Sequence, residues 1–193
     1  MGREFELKYQ ADGEKLAAIR EKFGDFTPIS MRTVYYDTPN GDLEKRRRML
    51  RQRTENGKSV CTLKIPLPDG SRGEWETDEK SVAEAIPELC KLGAPNDLIS
   101  LCGDGLVPTC AAEFTRLCTL VSLQNAAAEL ALDAGVFIGN GKKLPFAEVE
   151  VELKFGEEAA VTAFAQALAK EFSLTPEPKS KVQRALALAK NET

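Results

Sequence analysis

The sequence predicts an α+β protein: about eight antiparallel strands closed into a barrel, with charged faces lining the lumen and amphipathic helices sheathing the outside. Three observations lead there. Charged residues recur at a spacing of two in 4–8, 51–53, 72–76 and 148–154, and successive side chains of a strand point to opposite faces. Acids and bases are sorted by strand, with acids in the first, fifth and last and Arg51 and Arg53 together on another. Other segments repeat apolar residues at helical spacing. A half-exposed antiparallel sheet also alternates polar and apolar residues, but its exposed face mixes in Ser, Thr, Gln and Asn, whereas these faces are almost wholly ionic. With the charges outside, the barrel interior would be apolar and the helices would have little to cover. With the charges inside, strand pattern and helix stripes are both explained, and an even closed sheet has no edges.

Each element has a local reason. The strand at 4–8 puts Glu4, Glu6 and Lys8 on one face and Phe5, Leu7 and Tyr9 on the other. Leu16, Ile19 and Phe23 repeat at helical spacing behind an Asp12 cap. Residues 33–38 are rich in strand formers and end at the turn signal Pro39-Asn40-Gly41. The connector 42–48 carries Arg46-Arg47-Arg48, but no aromatic residue interleaves and Asp42 and Glu44 stand beside it, which argues against a nucleic-acid patch. Strands at 49–54 and 59–65, joined by a hairpin turn at 55–58, lead to a third at 72–77. Helices are expected at 81–92, with Pro87 starting a second short turn, and near 97–102. Strands follow at 109–123, bearing Arg116, and at 127–133, bearing Asp133; 135–141 reads as a hairpin-like stretch before the acidic strand at 147–155. Residues 157–172 form a helix with Val161, Phe164, Ala165, Leu168 and Phe172 on one stripe. Ser180 caps a last helix at 181–190.

Composition bounds the function. The chain has 193 residues, 42% of them hydrophobic, which suits one domain (1–193) with a real core. A net charge of −4 supplies no bulk field for nucleic acid or an anionic membrane, so a polyanion must be met locally by sorted bases. There is no long apolar run and no secretory signal, and the five cysteines lack a CxxC pair, which favours reduced thiols in a cytoplasm. Histidine is absent, excluding His triads and His-ligated metals. Oligomeric state is left unassigned.

Carboxylates crowded into one cavity repel: two unit charges about 4 Å apart cost roughly 4 kcal/mol at an effective dielectric near 20. Such a cluster protonates or binds cations, and oxygen donors without His or Cys point to hard ions, Mg²⁺ or Mn²⁺. Opposing Arg and Lys side chains suit phosphate oxygens. Metal and bases together describe a polyphosphate site, with cation-activated water attacking a terminal phosphorus in line.

The motifs in order are Glu4-x-Glu6-x-Lys8, Tyr35-Tyr36-Asp37-Thr38-Pro39, Leu50-Arg51-Gln52-Arg53, Thr62-Leu63-Lys64 and Arg72-x-Glu74-x-Glu76. They continue with Leu132-Asp133-x-Gly135, Glu148-x-Glu150-x-Glu152-Leu153-Lys154 and Ser180-Lys181-x-x-Arg184. In order and spacing this series resembles the CYTH superfamily, the triphosphate tunnel metalloenzymes, across nearly the whole chain; residues 78–112 carry no family motif. The resemblance implies an eight-stranded tunnel and metal-dependent hydrolysis of tripolyphosphate to diphosphate and phosphate, with two ions of Mg²⁺ or Mn²⁺. Thiamine triphosphatase, class IV adenylyl cyclase and a polyphosphate-binding module without turnover are the alternatives. It implies that Glu4, Glu6, Glu148, Glu150 and Glu152 hold the metals. Lys8, Arg51, Arg53, Lys64, Arg72, Arg116 and Lys181 would clasp phosphate oxygens, the last from one tunnel mouth. Catalysis would fall to Glu4, Glu6, Lys8, Glu148 and Glu150, supported by Glu74, Glu76 and Asp133. Trp75 is expected on the outer face, and Lys154 is expected to be solvated.

Overall fold

The computed structural model describes residues 5–67, 72–79 (the backbone alone at Arg72) and 81–191. In chain order the elements are β1 (Glu6–Gln10), α1 (Gly13–Phe23), β2 (Thr27–Asp37), α2 (Asp42–Lys45), β3 (Met49–Glu55), β4 (Lys58–Pro66) and β5 (Arg72–Thr77). There follow α3 (Val82–Lys91), α4 (Asp97–Leu101), β6 (Val107–Leu123), β7 (Ala126–Gly139), β8 (Lys142–Gly156), α5 (Glu158–Glu171), β9 (Thr175–Pro176) and α6 (Lys181–Lys190). The strands form one antiparallel sheet in the order β5-β4-β3-β2-β6-β7-β8-β1-β9.

The register sorts the side chains. Glu76 lies opposite Thr62, Thr62 opposite Arg51, and Arg51 opposite Tyr35. Arg116 lies opposite Asp133 and Asp133 opposite Glu148, while Lys8 faces Glu150 and Glu6 faces Glu152. Directly opposed residues share a face, so acids and bases from six strands stand on one side of the sheet. The other side is apolar and covered by helices, as the alternation predicts. Leu130, Leu132, Val149 and Val151 pack with Ile19 of α1 and Val161, Ala165 and Leu168 of α5. Leu50 and Leu63 pack with Ile86 and Leu89 of α3, Leu98 of α4 and Leu43 of α2, and Trp75 joins this outer core.

Capping explains two of the helices. Asp12 accepts a hydrogen bond from Lys15 N at 2.9 Å and starts α1. The short α2 has left-handed Gly41 at its N-cap, with no side-chain bond. Instead, the buried Asp37 carboxylate reaches from the end of β2 to accept from Leu43 N at 2.8 Å and Glu44 N at 3.0 Å. The Tyr-Tyr-Asp-Thr-Pro stretch thus ends one element and holds the start of the next.

Five expectations need correction. The hydrogen-bonded order of the described strands does not close into an eight-stranded barrel: it holds nine strands, with β5 and β9 as edges. The charged face is not charged throughout. Met31, Tyr35, Ala112, Phe114 and Phe137 lie on it and form a third core with Ala185 and Leu188 of α6, so α6 fills the inside rather than sheathing the outside. The hairpin expected over 135–141 forms, but it turns at Asn140-Gly141 and not at Gly135. The strand β7 runs through it because any Cβ there would stand 2.1 Å from Glu113 O, so the glycine permits close strand approach. Pro87 lies inside α3 without starting a new turn. Finally, β2 begins six residues earlier than its strand-forming run, carried through Pro28 by pairing with β6.

Candidate active site

The long strands β6, β7 and β8 bring Arg116, Asp133, Glu148 and Glu150 side by side, and α6 adds Lys181 from its first turn. Arg116 grips Asp133 with two bonds, Nε–Oδ1 at 2.8 Å and Nη2–Oδ2 at 2.7 Å, and also contacts Glu150. The Lys181 ammonium stands 2.8 Å from Asp133 Oδ2 and 2.7 Å from Glu150 Oε1, and pairs with Glu148. Asp133 and Glu148 are fully buried. Burial pushes the Glu148 carboxyl up, reinforced by the Glu150 charge. Burial would do the same to Glu150, but Lys181 and Arg116 outweigh it and hold that carboxyl well below the usual range. Burial opposes the charges of Arg116 and Lys181 as well, and the carboxylates around them outweigh it and raise both.

A second group lies on β3, β4 and β5. Lys64 meets Glu74 at 3.1 Å, and Arg51 stands 3.9 Å from Glu74 and 3.8 Å from Glu76. Thr62 donates to Glu76 at 2.8 Å. Arg53 meets Glu55 at 2.6 Å but off the hydrogen-bonding direction, so its buried Nε, like that of Arg51, has no hydrogen-bond partner. Burial, and after it the like charge of Arg51, push Arg53 below the usual arginine range; Arg116 adds to that repulsion. Arg53 therefore stands within electrostatic reach of both groups.

A third group comes from β1 and the far ends of β7 and β8. Lys8 lies 3.7 Å from Glu6, and Glu6, Glu152 and Glu129 occupy one cross-strand row. Lys154, expected to be solvated, pairs with Glu152 at 2.8 Å and Glu129 at 3.8 Å. Glu4 and the side chain of Arg72 lie outside the described residues.

The sequence reading placed Arg184 in a motif without giving it a role, and missed Glu177 and an aromatic cluster. Arg184 pairs with Glu148 and lies 3.5 Å from buried Glu177, which also accepts from Gln10 at 2.8 Å. Phe137 stacks on Phe146 at 4.2 Å, and Phe114 meets Phe146 edge-on at 5.7 Å. The cluster is occupied by the chain's own cations: Lys181 over Phe114 and Arg184 over Phe137 at 4.7 Å. The three-residue spacing of Lys181 and Arg184 on one helix face was a readable signal, as was Phe146 two residues before Glu148. Nothing near Glu177 announced it.

Asp133, Glu148 and Glu150 offer three carboxylate oxygens within 4.8 Å of one another. Buried Glu148 Oε1 accepts no well-formed hydrogen bond despite its ion pair with Lys181. Hard oxygen donors of this kind fit Mg²⁺ or Mn²⁺.

The family model of the CYTH domain matches residues 2–186. The chain belongs to the CYTH family. Against the inorganic triphosphatase of Haemophilus influenzae, the CYTH chain is 26% identical over its full length and spans 56% of that relative. A putative adenylyl cyclase from Hippeastrum, described as having a dominant triphosphatase activity, shares the fold (TM-score 0.65, 19% identity, 98% of this chain and 96% of that one). So does a putative adenylate cyclase of Bacillus halodurans (TM-score 0.62, 22% identity, 95% and 98%). Among the described residues no helix of the CYTH chain is long and apolar enough to cross a membrane.

Proposed function

We propose that this CYTH chain hydrolyses inorganic triphosphate to diphosphate and phosphate on the ionic face of its sheet, with Mg²⁺ or Mn²⁺ bound. The observation that carries this reading is the pairing of a buried three-carboxylate cluster with Arg51 and Arg53, whose buried Nε groups lack hydrogen-bond partners, all on one face. Similarity of the whole chain to about half of an inorganic triphosphatase supports it, and five free thiols suit a cytoplasmic setting.

Arg51, Arg53, Lys64 and Arg116, with Arg72 expected beside them, clasp the phosphate oxygens. Glu74 orients Arg51 and Lys64, Glu76 orients Arg51, and Asp133 orients Arg116. Glu148 and Glu150 with Asp133 hold one cation, and Glu6 and Glu152 on facing positions, joined by Glu4, hold a second. The bound ions supply charge neutralisation and activate the attacking water. As water attacks the terminal phosphorus, the bridging P–O bond breaks, and the basic side chains stabilise the departing diphosphate. Lys8, opposite Glu150, completes the wall of a tunnel formed by this face.

The test is phosphate release from tripolyphosphate, thiamine triphosphate, ATP and long polyphosphate with each ion, with cyclic AMP measured in the ATP samples. Fastest release from tripolyphosphate, abolished by a chelator, is expected. No release from any of them, or cyclic AMP as the main product of ATP, would overturn the assignment.

A further inference from the structure

Lys181 stands where a cation of the carboxylate cluster would stand. Its nitrogen lies 2.8 Å from Asp133 Oδ2 and 2.7 Å from Glu150 Oε1, and it pairs with Glu148 Oε1. These are the three residues whose oxygens converge within 4.8 Å. We propose that Lys181 is a built-in counter-cation that a divalent ion must displace, the two occupying the same three carboxylates in turn. The inference rests on the metal assignment made above.

The charges support an exchange rather than an addition. Asp133, Glu148 and Glu150 bring three negative charges, and Arg116, Lys181 and Arg184 bring three positive ones into direct contact with them. A divalent ion added beside the ammonium would meet it at close range, and the one further acid nearby among the described residues, Glu177, contacts Arg184 and not the ammonium.

The neighbours determine which cation can leave. Arg184 is fixed between Glu148 and Glu177 and lies over Phe137, and Arg116 is held by two bonds to Asp133. The body of α6 is seated by Ala185 and Leu188 in the inner core. A Cβ on Gly139 would lie 2.8 Å from Ala189 N, so helix and strand backbones touch there. The far end is tied by Lys142 to Asn191 at 2.6 Å and Lys190 to Glu44 at 2.5 Å. Lys181, by contrast, is the first residue of α6 and carries its ammonium on a flexible four-carbon stem. Its side chain can swing while the helix stays. The freed ammonium remains beside Arg116, on the face that carries Arg51 and Arg53, where a phosphate oxygen can take it.

Two measurements without any triphosphate test this, so they stand or fall independently of hydrolysis. In the unaltered protein, saturating Mn²⁺ should raise the rate at which an amine-modifying reagent labels Lys181 several-fold, read by peptide mass, while exposed Lys143 is unchanged. Mn²⁺ titration by electron paramagnetic resonance should show K181M binding the ion about tenfold more tightly than wild type, because no resident cation has to be displaced. Adding D133N to K181M should remove that gain. Lys181 labelling indifferent to Mn²⁺, or Mn²⁺ affinity equal or weaker in K181M, would overturn the exchange. The labelling arm needs no variant and so decides the question even where K181M folds poorly.

Discussion

The two halves of the ionic face handle charge differently. On β6, β7 and β8 the arginine and lysine are saturated: Arg116 makes two short bonds to Asp133, and Lys181 has three carboxylate partners. On β3 the Arg51 contacts are long, 3.8 and 3.9 Å, and the Nε atoms of Arg51 and Arg53 are buried without a hydrogen bond, although Arg53 and Lys64 each keep one close acid. A buried donor left unmade costs about 1–3 kcal/mol. The β3–β4 half carries that cost at both arginines, and on the proposed function an arriving anion would recover it; around β6–β8 the same cost falls on Glu148 Oε1 and on Arg184 Nε of α6, beside otherwise short ion pairs. On the proposed function, one half would receive phosphate and the other would hold cations, its own or a metal.

Substitutions should separate the halves. The largest effect is expected from Arg116→Ala, which takes from Asp133 its two-bond partner and from Glu150 one of its two cations; breaking such a pair costs about 3–5 kcal/mol, read as a loss in urea unfolding free energy. Glu150→Gln should keep the fold by circular dichroism and lower turnover about 10²–10³-fold, in line with removal of one electrostatic stabiliser from a site. Near-normal turnover would remove Glu150 from the metal assignment. Arg51→Ala should leave stability nearly unchanged and raise KM about tenfold, since its protein contacts are weak and its loss is felt in binding. An unfolding midpoint that drops as far as that of Arg116→Ala would erase the contrast between the halves.

The smallest expected effect is on pH. The Glu150 carboxyl sits below its unfolded value, so its contribution is complete above about pH 4.3 and declines as pH falls through the folded value. Glu148 is raised, so it acts in the opposite sense and weakens stability as pH rises past the same point. The melting temperature of the wild type should therefore fall on acidification below about pH 4.3, and Glu148→Gln should make that acid loss steeper. A shallower acid arm in Glu148→Gln would reverse the assigned signs.

Much of this arrangement was legible in the sequence. Alternation at a spacing of two fixed which side chains of β1, β3, β5 and β8 share a face, because a strand leaves no other choice. Ser180 and Gln183 announced the start of α6, where both halves of the capping box form. What escaped depended on long-range packing. The Ala185 and Leu188 stripe of α6 looks like that of α5, and only the inner wall of Phe114 and Phe137 decides that it enters the ionic face. Gly135 reads as a turn residue unless the approach of β6 is known. The four-residue α2 depends on Asp37, five residues before its first turn begins. Pairing of β9 with Tyr9 and Gln10 has no local signal in a two-residue strand.

The most direct test is the rate of phosphate release from tripolyphosphate with Mn²⁺, compared between the wild type and R51A/R53A. Chelator-sensitive release by the wild type, with KM raised at least as far in the double variant as in Arg51→Ala alone, is the predicted result. Release that proceeds equally well without the two arginines, or none from the wild type with either ion, would contradict it.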